Sequence, residues 1–296
     1  MSTSLEVPDA VRLRLAHGVL QHHAARLGAR ILHLKGSALH PLLAEGRRSS
    51  TDCDVLVDPG DVPGYCRLLE GQGWAQVTSF EHGSVFGHAA TFHHPLWGTV
   101  DVHRSFPGVD RDPAQTFETL WAARETRDLG GVDCAVPALP AQRLLLLVHA
   151  ARDSMGRAGH DVRVSWTDAS PTERAEIDAL GENLGARVPL ALVTDRPERA
   201  RGGAGEHLWT ATRAGAGPTQ IWIARLKDAR GPRERAALLV AALHVNPDHL
   251  ALRLGHDPSP QELRRESRDR WFRAARQLRG MLRRRLPGRR SPRPRP

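Results

Sequence analysis

Residues 32–57 read LHLKGSALHPLLAEGRRSSTDCDVLV, and the end of this stretch decides the fold. An apolar run stops at Lys35-Gly36-Ser37, and a second run, Val55-Leu56-Val57, is headed by Asp52-Cys53-Asp54. In an extended strand residues i and i+2 share a face. Asp52 and Asp54 therefore project together, with Cβ atoms about 7 Å apart at a rise of roughly 3.3 Å per residue. Two carboxylates so placed repel unless a positive charge stands between them. A divalent cation with a preference for oxygen ligands meets that need.

The flanks read as alternating elements. Residues 9–27 have helical spacing (Val11, Leu15, Val19, Leu20, Leu27), with Gly28 as the stop. Residues 30–34 read as a strand, and residues 37–46 as a short helix that Pro41 confines to its first turn and Gly46 ends. A helix follows up to Gly73. SVFGHAATFHH (84–94) and GTVDVHRSF (98–106) then pair across a His94–Gly98 turn. The second of these strands carries a third aspartate, Asp101. The order is αβαβα followed by a β-hairpin.

From about residue 137 only helices are expected. One of them opens with Ser170 as N-cap, Pro171 at the first helical position and Glu173 three residues on, a capping box. Residues 195–218, rich in Gly and Arg, read as a loop, and the last ten residues as disordered. The fold class is α+β, with a mixed sheet flanked by helices followed by an all-helical part. The expected divisions are 1–135, 136–256 and an arginine-rich helix and tail over 257–296.

The net charge of +9 is unevenly placed. Residues 262–296 hold 14 arginines against Glu262, Glu266 and Asp269, a local +11, so the rest of the chain sits near neutrality at −2. Lysine occurs only at Lys35 and Lys227. Cys53, Cys66 and Cys134 have no CxxC spacing, which argues against a zinc site or a disulfide framework and for a reducing, cytoplasmic setting. The N-terminus lacks an apolar signal core, and the run Leu144–Val148 is too short to span a bilayer.

The motifs LKGSAL, RSSTDCDVLVDPGD and GTVDVHRSF together resemble a bacterial family of uncharacterised nucleotidyltransferases within the DNA polymerase β-like superfamily. The resemblance is good over residues 25–105 and looser through LLLLVHAARD to NPDHLALRLG in the helical half. It implies Mg²⁺ or Mn²⁺ as cofactor, a nucleoside triphosphate as substrate, and a small-molecule or peptide hydroxyl or phosphate as acceptor. On that likeness Asp52 and Asp54 hold the metal carrying the nucleotide phosphates, and Asp101 completes the metal site and activates the acceptor. Lys35, Gly36, Ser37 and Arg48 become the phosphate-binding set. The physical logic agrees, since nucleotidyl transfer needs triphosphate charge neutralised and an oxygen held in line. His103 is read as a packed histidine, and His149 with Asp153 as a structural pair. Two other classes compete: a catalytically silent nucleotide- or partner-binding protein of antitoxin type, and a binder of nucleic acid or an anionic surface through the basic tail.

Overall fold

The computed structural model describes residues 7–81, 87–153, 158–243 and 245–285. Contacts divide the chain into two compact units, Met1–Gly215 and Ala216–Pro296. The first opens with α1 (Asp9–Leu27), β1 (Ile31–Leu34), a 3-10 turn (Gly36–Ala38), α2 (Pro41–Ala44), β2 (Asp52–Val57) and α3 (Val62–Gly71). Strands β3 (Ala75–Thr78), β4 (Ala89–His94) and β5 (Gly98–His103) follow. Then come α4 (Pro113–Ala122), a hairpin of β6 (Glu125–Asp128) and β7 (Asp133–Val136), and α5 (Leu139–Ala150). The unit closes with α6 (Gly159–Val162), a π-helical turn (Arg163–Thr167), α7 (Pro171–Asn183), α8 (Arg187–Val193), α9 (Pro197–Ala200) and α10 (Glu206–Arg213). This is the expected α+β fold.

The main sheet has the order β1-β2-β5-β4-β3. Only β2 and β5 run parallel, and the other pairs are antiparallel. Period-two alternation divides its residues between two cores. Ile31, Cys53, Val55, Val57, Val100 and Val102 pack with Leu13, Leu20, Tyr65 and Leu69 of α1 and α3. The alternate residues Leu32, Leu34 and Leu56 join Phe106, Phe117 and the α5 leucines in a second core. Asp54 and Asp101 belong to this second face by the same alternation. The sheet thus presents its acidic positions toward the face that the helical half covers.

Several local expectations need correction. In α1 the buried stripe is Leu13, Ala16, His17, Leu20 and Ala24, while Val11, Leu15 and Leu27 are exposed. The true stripe was masked because alanine and histidine fill half of it. The helix expected over residues 37–46 is split, because Pro41 starts a separate one-turn helix that His40 caps by accepting a hydrogen bond from Leu42 N–H. Strand β3 and the β6–β7 hairpin are short, four residues to a strand, with β3 and β6 largely exposed and β7 burying Cys134 and Val136, and none was expected. The 195–218 segment contains α9 and α10, not a loop. Two of its arginines are fixed by one carboxylate: Arg196 and Arg199 both reach Asp178 of α7 at 2.7 Å. The capping box at Ser170 and Glu173 is present as expected. The first residues of the expected strand 84–94 and the last ten residues of the chain lie outside the described set.

The second unit holds α11 (Pro218–Asp228), α12 (Pro232–Leu243), α13 (Pro247–Leu254) and α14 (Pro260–Arg285). Glu266 on α14 pairs with Arg253 of α13 and with Arg273. Arg225 and Arg270 lie over the Trp222 ring. Trp271 and Phe272 are exposed, at 54% and 63%. Among the described residues no helix is long and apolar enough to cross a membrane.

Candidate metal and nucleotide site

Strands β2 and β5 align so that Asp54 stands opposite Asp101. Two residues further along β5, on the same face, His103 completes a group whose ligand atoms lie within 4.8 Å of one another. Asp54 is the centre of the cluster. Its Oδ1 accepts from Lys35 Nζ at 2.9 Å and from His103 Nε2–H at 2.8 Å. Asp101 Oδ1 accepts from Thr91 Oγ1 on β4 at 2.7 Å. Asp52 is not in the group, and its Oδ1 accepts instead from Ser50 Oγ at 2.9 Å.

The two central carboxylates are driven in opposite directions. Burial pushes the Asp54 carboxyl upward, but Lys35 and the His103 hydrogen bond outweigh it and hold it well below the usual carboxylate range. Burial raises the Asp101 carboxyl, with the Thr91 hydrogen bond opposing, and the charges of Asp54 and Asp52 raise it further. One oxyanion is permanent; the other takes up a proton more readily.

The backbone around Lys35-Gly36 is shaped for close approach. Lys35 has φ 51° and Gly36 φ 46°, both in the left-handed region. A Cβ on Gly36 would lie 3.0 Å from Ser50 Cβ, so glycine lets the end of β1 press against the 47–50 loop. The bend also turns Lys35 back onto Asp54. A cleft of about 140 Å³ opens beside this contact, lined by Gly36, Ser37, Arg47, Arg48, Ser49 and Ser50 among others. Arg47 is tied to Asp161 by two hydrogen bonds, at 2.8 and 3.2 Å. Arg48 makes no ion pair among the described residues, and it stands exposed at the cleft.

Sequence reasoning placed Asp52, Asp54, Asp101 and Lys35 in one locality; the structure brings Asp54, Asp101 and Lys35 together and leaves Asp52 on Ser50, outside the group, while Gly36, Ser37 and Arg48 gather at the adjoining cleft. It undervalued His103. That residue is buried as expected, at 3% exposure, yet it also bonds Asp54. The signal was present, since His103 follows Asp101 by two and must share its face. Thr91 and Ser50, which orient the other two carboxylates, carried no sequence signal. Asp153 accepts from Ala158 N–H at 2.6 Å, and His149 Nδ1 is enclosed without a partner.

Carboxylates aligned across parallel strands, a lysine hydrogen-bonded to Asp54 and a glycine-serine turn at the strand end thus meet in one place. The model of the uncharacterised nucleotidyltransferase family matches residues 13–195, more than half of the chain, and the chain belongs to that family. No curated protein matches it in sequence. Similar solved structures include the lincomycin-bound lincosamide antibiotic adenylyltransferase LnuA, at 15% identity and TM-score 0.34, covering 56% of this chain and 94% of that one. The antibiotic-resistance factor ANT(2'')-Ia is 13% identical with TM-score 0.42, covering 60% and 95%. An antigenic nucleotidyltransferase-like protein from Paracoccidioides brasiliensis is 15% identical with TM-score 0.37, covering 62% and 93%.

Proposed function

We propose that this nucleotidyltransferase moves a nucleoside monophosphate from a nucleoside triphosphate to a hydroxyl or phosphate of a small-molecule or peptide acceptor, with Mg²⁺ or Mn²⁺ as cofactor. The observation that carries the reading is the alignment of Asp54 with Asp101 in a group of ligand atoms within 4.8 Å. The donor set fits the ion: two carboxylate oxygens suit hard Mg²⁺, and the His103 nitrogen is compatible with Mn²⁺ as well. Asp54 and Asp101 would hold it, joined by Asp52 once that carboxylate leaves Ser50. Bound there, the ion would supply charge neutralisation at the phosphates.

The chain's own groups do the rest. Lys35 and Arg48 attract the phosphate oxygens, and the Gly36-Ser37 backbone admits them closely. His103 keeps Asp54 oriented. Asp101, whose raised proton affinity suits a base, takes the acceptor hydroxyl proton onto a carboxylate oxygen. The acceptor oxygen bonds to the α-phosphorus, and the bond to the departing pyrophosphate breaks. Nucleoside triphosphates as substrates support a cytoplasmic setting.

The test uses α- and γ-labelled nucleoside triphosphates with Mg²⁺ and pooled acceptors. Transfer of α-label to an acceptor with release of pyrophosphate is expected. Movement of γ-label alone would make the enzyme a phosphoryl transferase.

A second binding role is favoured by one feature of α14. Arg265, Arg268, Phe272, Arg276 and Arg279 recur at three- and four-residue spacing and are all exposed. That face suits a polyanion such as nucleic acid, with Phe272 available to stack.

A further inference from the structure

The C-terminal end of α5 brings two more nitrogen-bearing side chains to the site. The Arg152 guanidinium lies 6.0 Å from the centre of the Phe106 ring, and Lys35 Nζ lies 5.9 Å from the same centre. The Arg152 Nε has neither solvent nor a hydrogen-bond partner. No carboxylate pairs with Arg152 among the described residues. His149 Nδ1, one helical turn earlier, is likewise enclosed and unpartnered. Comparable arginines in this unit have counter-charges: Arg47 has Asp161, and Arg196 has Asp178.

A partly enclosed guanidinium with an unpartnered Nε and no ion-pair carboxylate is costly, and such groups cluster where a charged ligand completes them. Burial lowers the proton affinity of Arg152, opposed by the field of Asp54. His149 is pushed down to about 3, first by burial and then by Lys35 and Arg152. It is therefore a neutral imidazole that adds a hydrogen bond without a second repelling charge. The planar guanidinium fork matches two oxygens of one phosphate.

We propose that Arg152, with His149 beside it, binds the part of the nucleoside triphosphate that leaves as pyrophosphate. This rests on the transfer reading only for the identity of the substrate. When the bond from the α-phosphorus to its bridging oxygen breaks, the electron pair departs on pyrophosphate. Negative charge therefore grows at that end, and a preplaced guanidinium there is worth most in the transition state. Lys35 shares its charge between the phosphates and Asp54, to which it is already bonded. Arg152, like the exposed Arg48 at the cleft, has no ion-pair partner among the described residues, and it is the one of the two enclosed beside Lys35 and Phe106.

The experiment titrates inorganic pyrophosphate, with Mg²⁺ present, into the full-length chain and into Arg152→Met, Arg152→Lys and His149→Gln variants by calorimetry. Expected results are a tenfold or greater weakening in Arg152→Met, partial recovery in Arg152→Lys and a smaller loss in His149→Gln. The melting temperature of unliganded Arg152→Met should equal or exceed that of the parent, because a partly buried charge with an unpartnered Nε has gone. If Arg152→Met does not fold, Arg152→Lys carries the test, with at least threefold weakening expected. Pyrophosphate binding within twofold of the parent in the folded variants, or no saturable binding by the parent, would overturn the proposal. A parent that binds pyrophosphate through Arg152 yet transfers no label would leave this site standing and remove the transfer reading. Transfer by a chain whose Arg152→Met form binds pyrophosphate normally would do the reverse.

Discussion

Asp54 on β2 and Asp101 on β5 are aligned partners of adjacent parallel strands, and their surroundings push their proton affinities apart. Asp54 is fixed as an anion by Lys35 and His103, whereas at Asp101 the burial penalty outweighs the Thr91 hydrogen bond and the field of His103. Two carboxylates with separated affinities can take separate tasks: one holds charge, and the other exchanges a proton.

Asp54→Asn should abolish transfer and also lower stability. From sequence alone, removing one of two repelling carboxylates would be neutral or stabilising. The structure reverses that sign, because Lys35, with its side chain 13% exposed, loses its counter-charge inside the protein. Breaking one partner of a buried pair costs about 3–5 kcal/mol. Adding Lys35→Met to Asp54→Asn should recover much of the lost melting temperature while activity stays absent. A single variant as stable as the parent would show that the pair contributes nothing.

Asp101→Asn should behave differently. Its amide oxygen can still accept from Thr91, and the repulsion from Asp54 and Asp52 disappears. Without metal, the melting temperature should hold or rise. Turnover should fall by about 10²–10⁴-fold, the usual contribution of a positioned base. The parent's rate should rise with pH through the elevated Asp101 titration, and that acidic limb should vanish in the variant's residual activity. An unchanged limb would assign the proton transfer to another group.

How much of this was legible in the sequence varies with the kind of signal. Period-two alternation placed Asp52 and Asp54 on one strand face and Asp101 on its neighbour, because strand geometry is local. The pairing of β2 with β5 is non-local, so the sequence offered no register and hence no choice between Asp52 and Asp54 as the closer partner of Asp101. The serine that holds Asp52 aside, Ser50, sits in a loop whose conformation depends on Gly36 from another segment. Arg196 and Arg199 read as loop residues by composition, since their carboxylate, Asp178, lies on α7. Burial of His17 and His33 was equally hidden, because histidine carries no fixed preference for either side of a helix or strand.

That buried pair gives a prediction of its own. Gln21 Oε1 accepts from His33 Nε2–H at 3.1 Å, so the Nδ1 of neutral His33 is the acceptor for His17 Nδ1–H at 2.9 Å. Burial lowers both groups, His17 to about 4 and His33 well below its ordinary value. The unfolded chain therefore binds protons below about pH 6.5 that the folded chain refuses, and stability must fall as pH falls. The loss should begin near pH 6.5 and continue to about pH 4, at up to about 1.4 kcal/mol per pH unit for each group. Melting temperatures from pH 7.5 to 4.5 should decline in the parent and decline less steeply with His17→Gln and His33→Gln combined. Parallel curves would remove the pair as the cause.

The last prediction concerns the second unit. Every hydrophobic cluster found among the described residues lies between Leu13 and Trp209, inside the first unit. A chain ending at Gly215 therefore keeps its cores and every candidate site residue, from Lys35 to Arg152. It also loses the arginine face of α14, where Arg265, Arg268, Arg276 and Arg279 surround the exposed Phe272. The shortened chain should melt cooperatively and bind nucleoside triphosphate with Mg²⁺ as the full chain does. Its association with single-stranded nucleic acid should disappear. In the full chain that association should weaken steeply with salt, since log K falls by about 0.7 per log unit of salt for each phosphate contacted on a single strand. Phe272→Ala in the full chain should cost about 1–3 kcal/mol of that binding if a base stacks on the ring. Equal binding by the shortened and full chains would show that the arginine face of α14 takes no part.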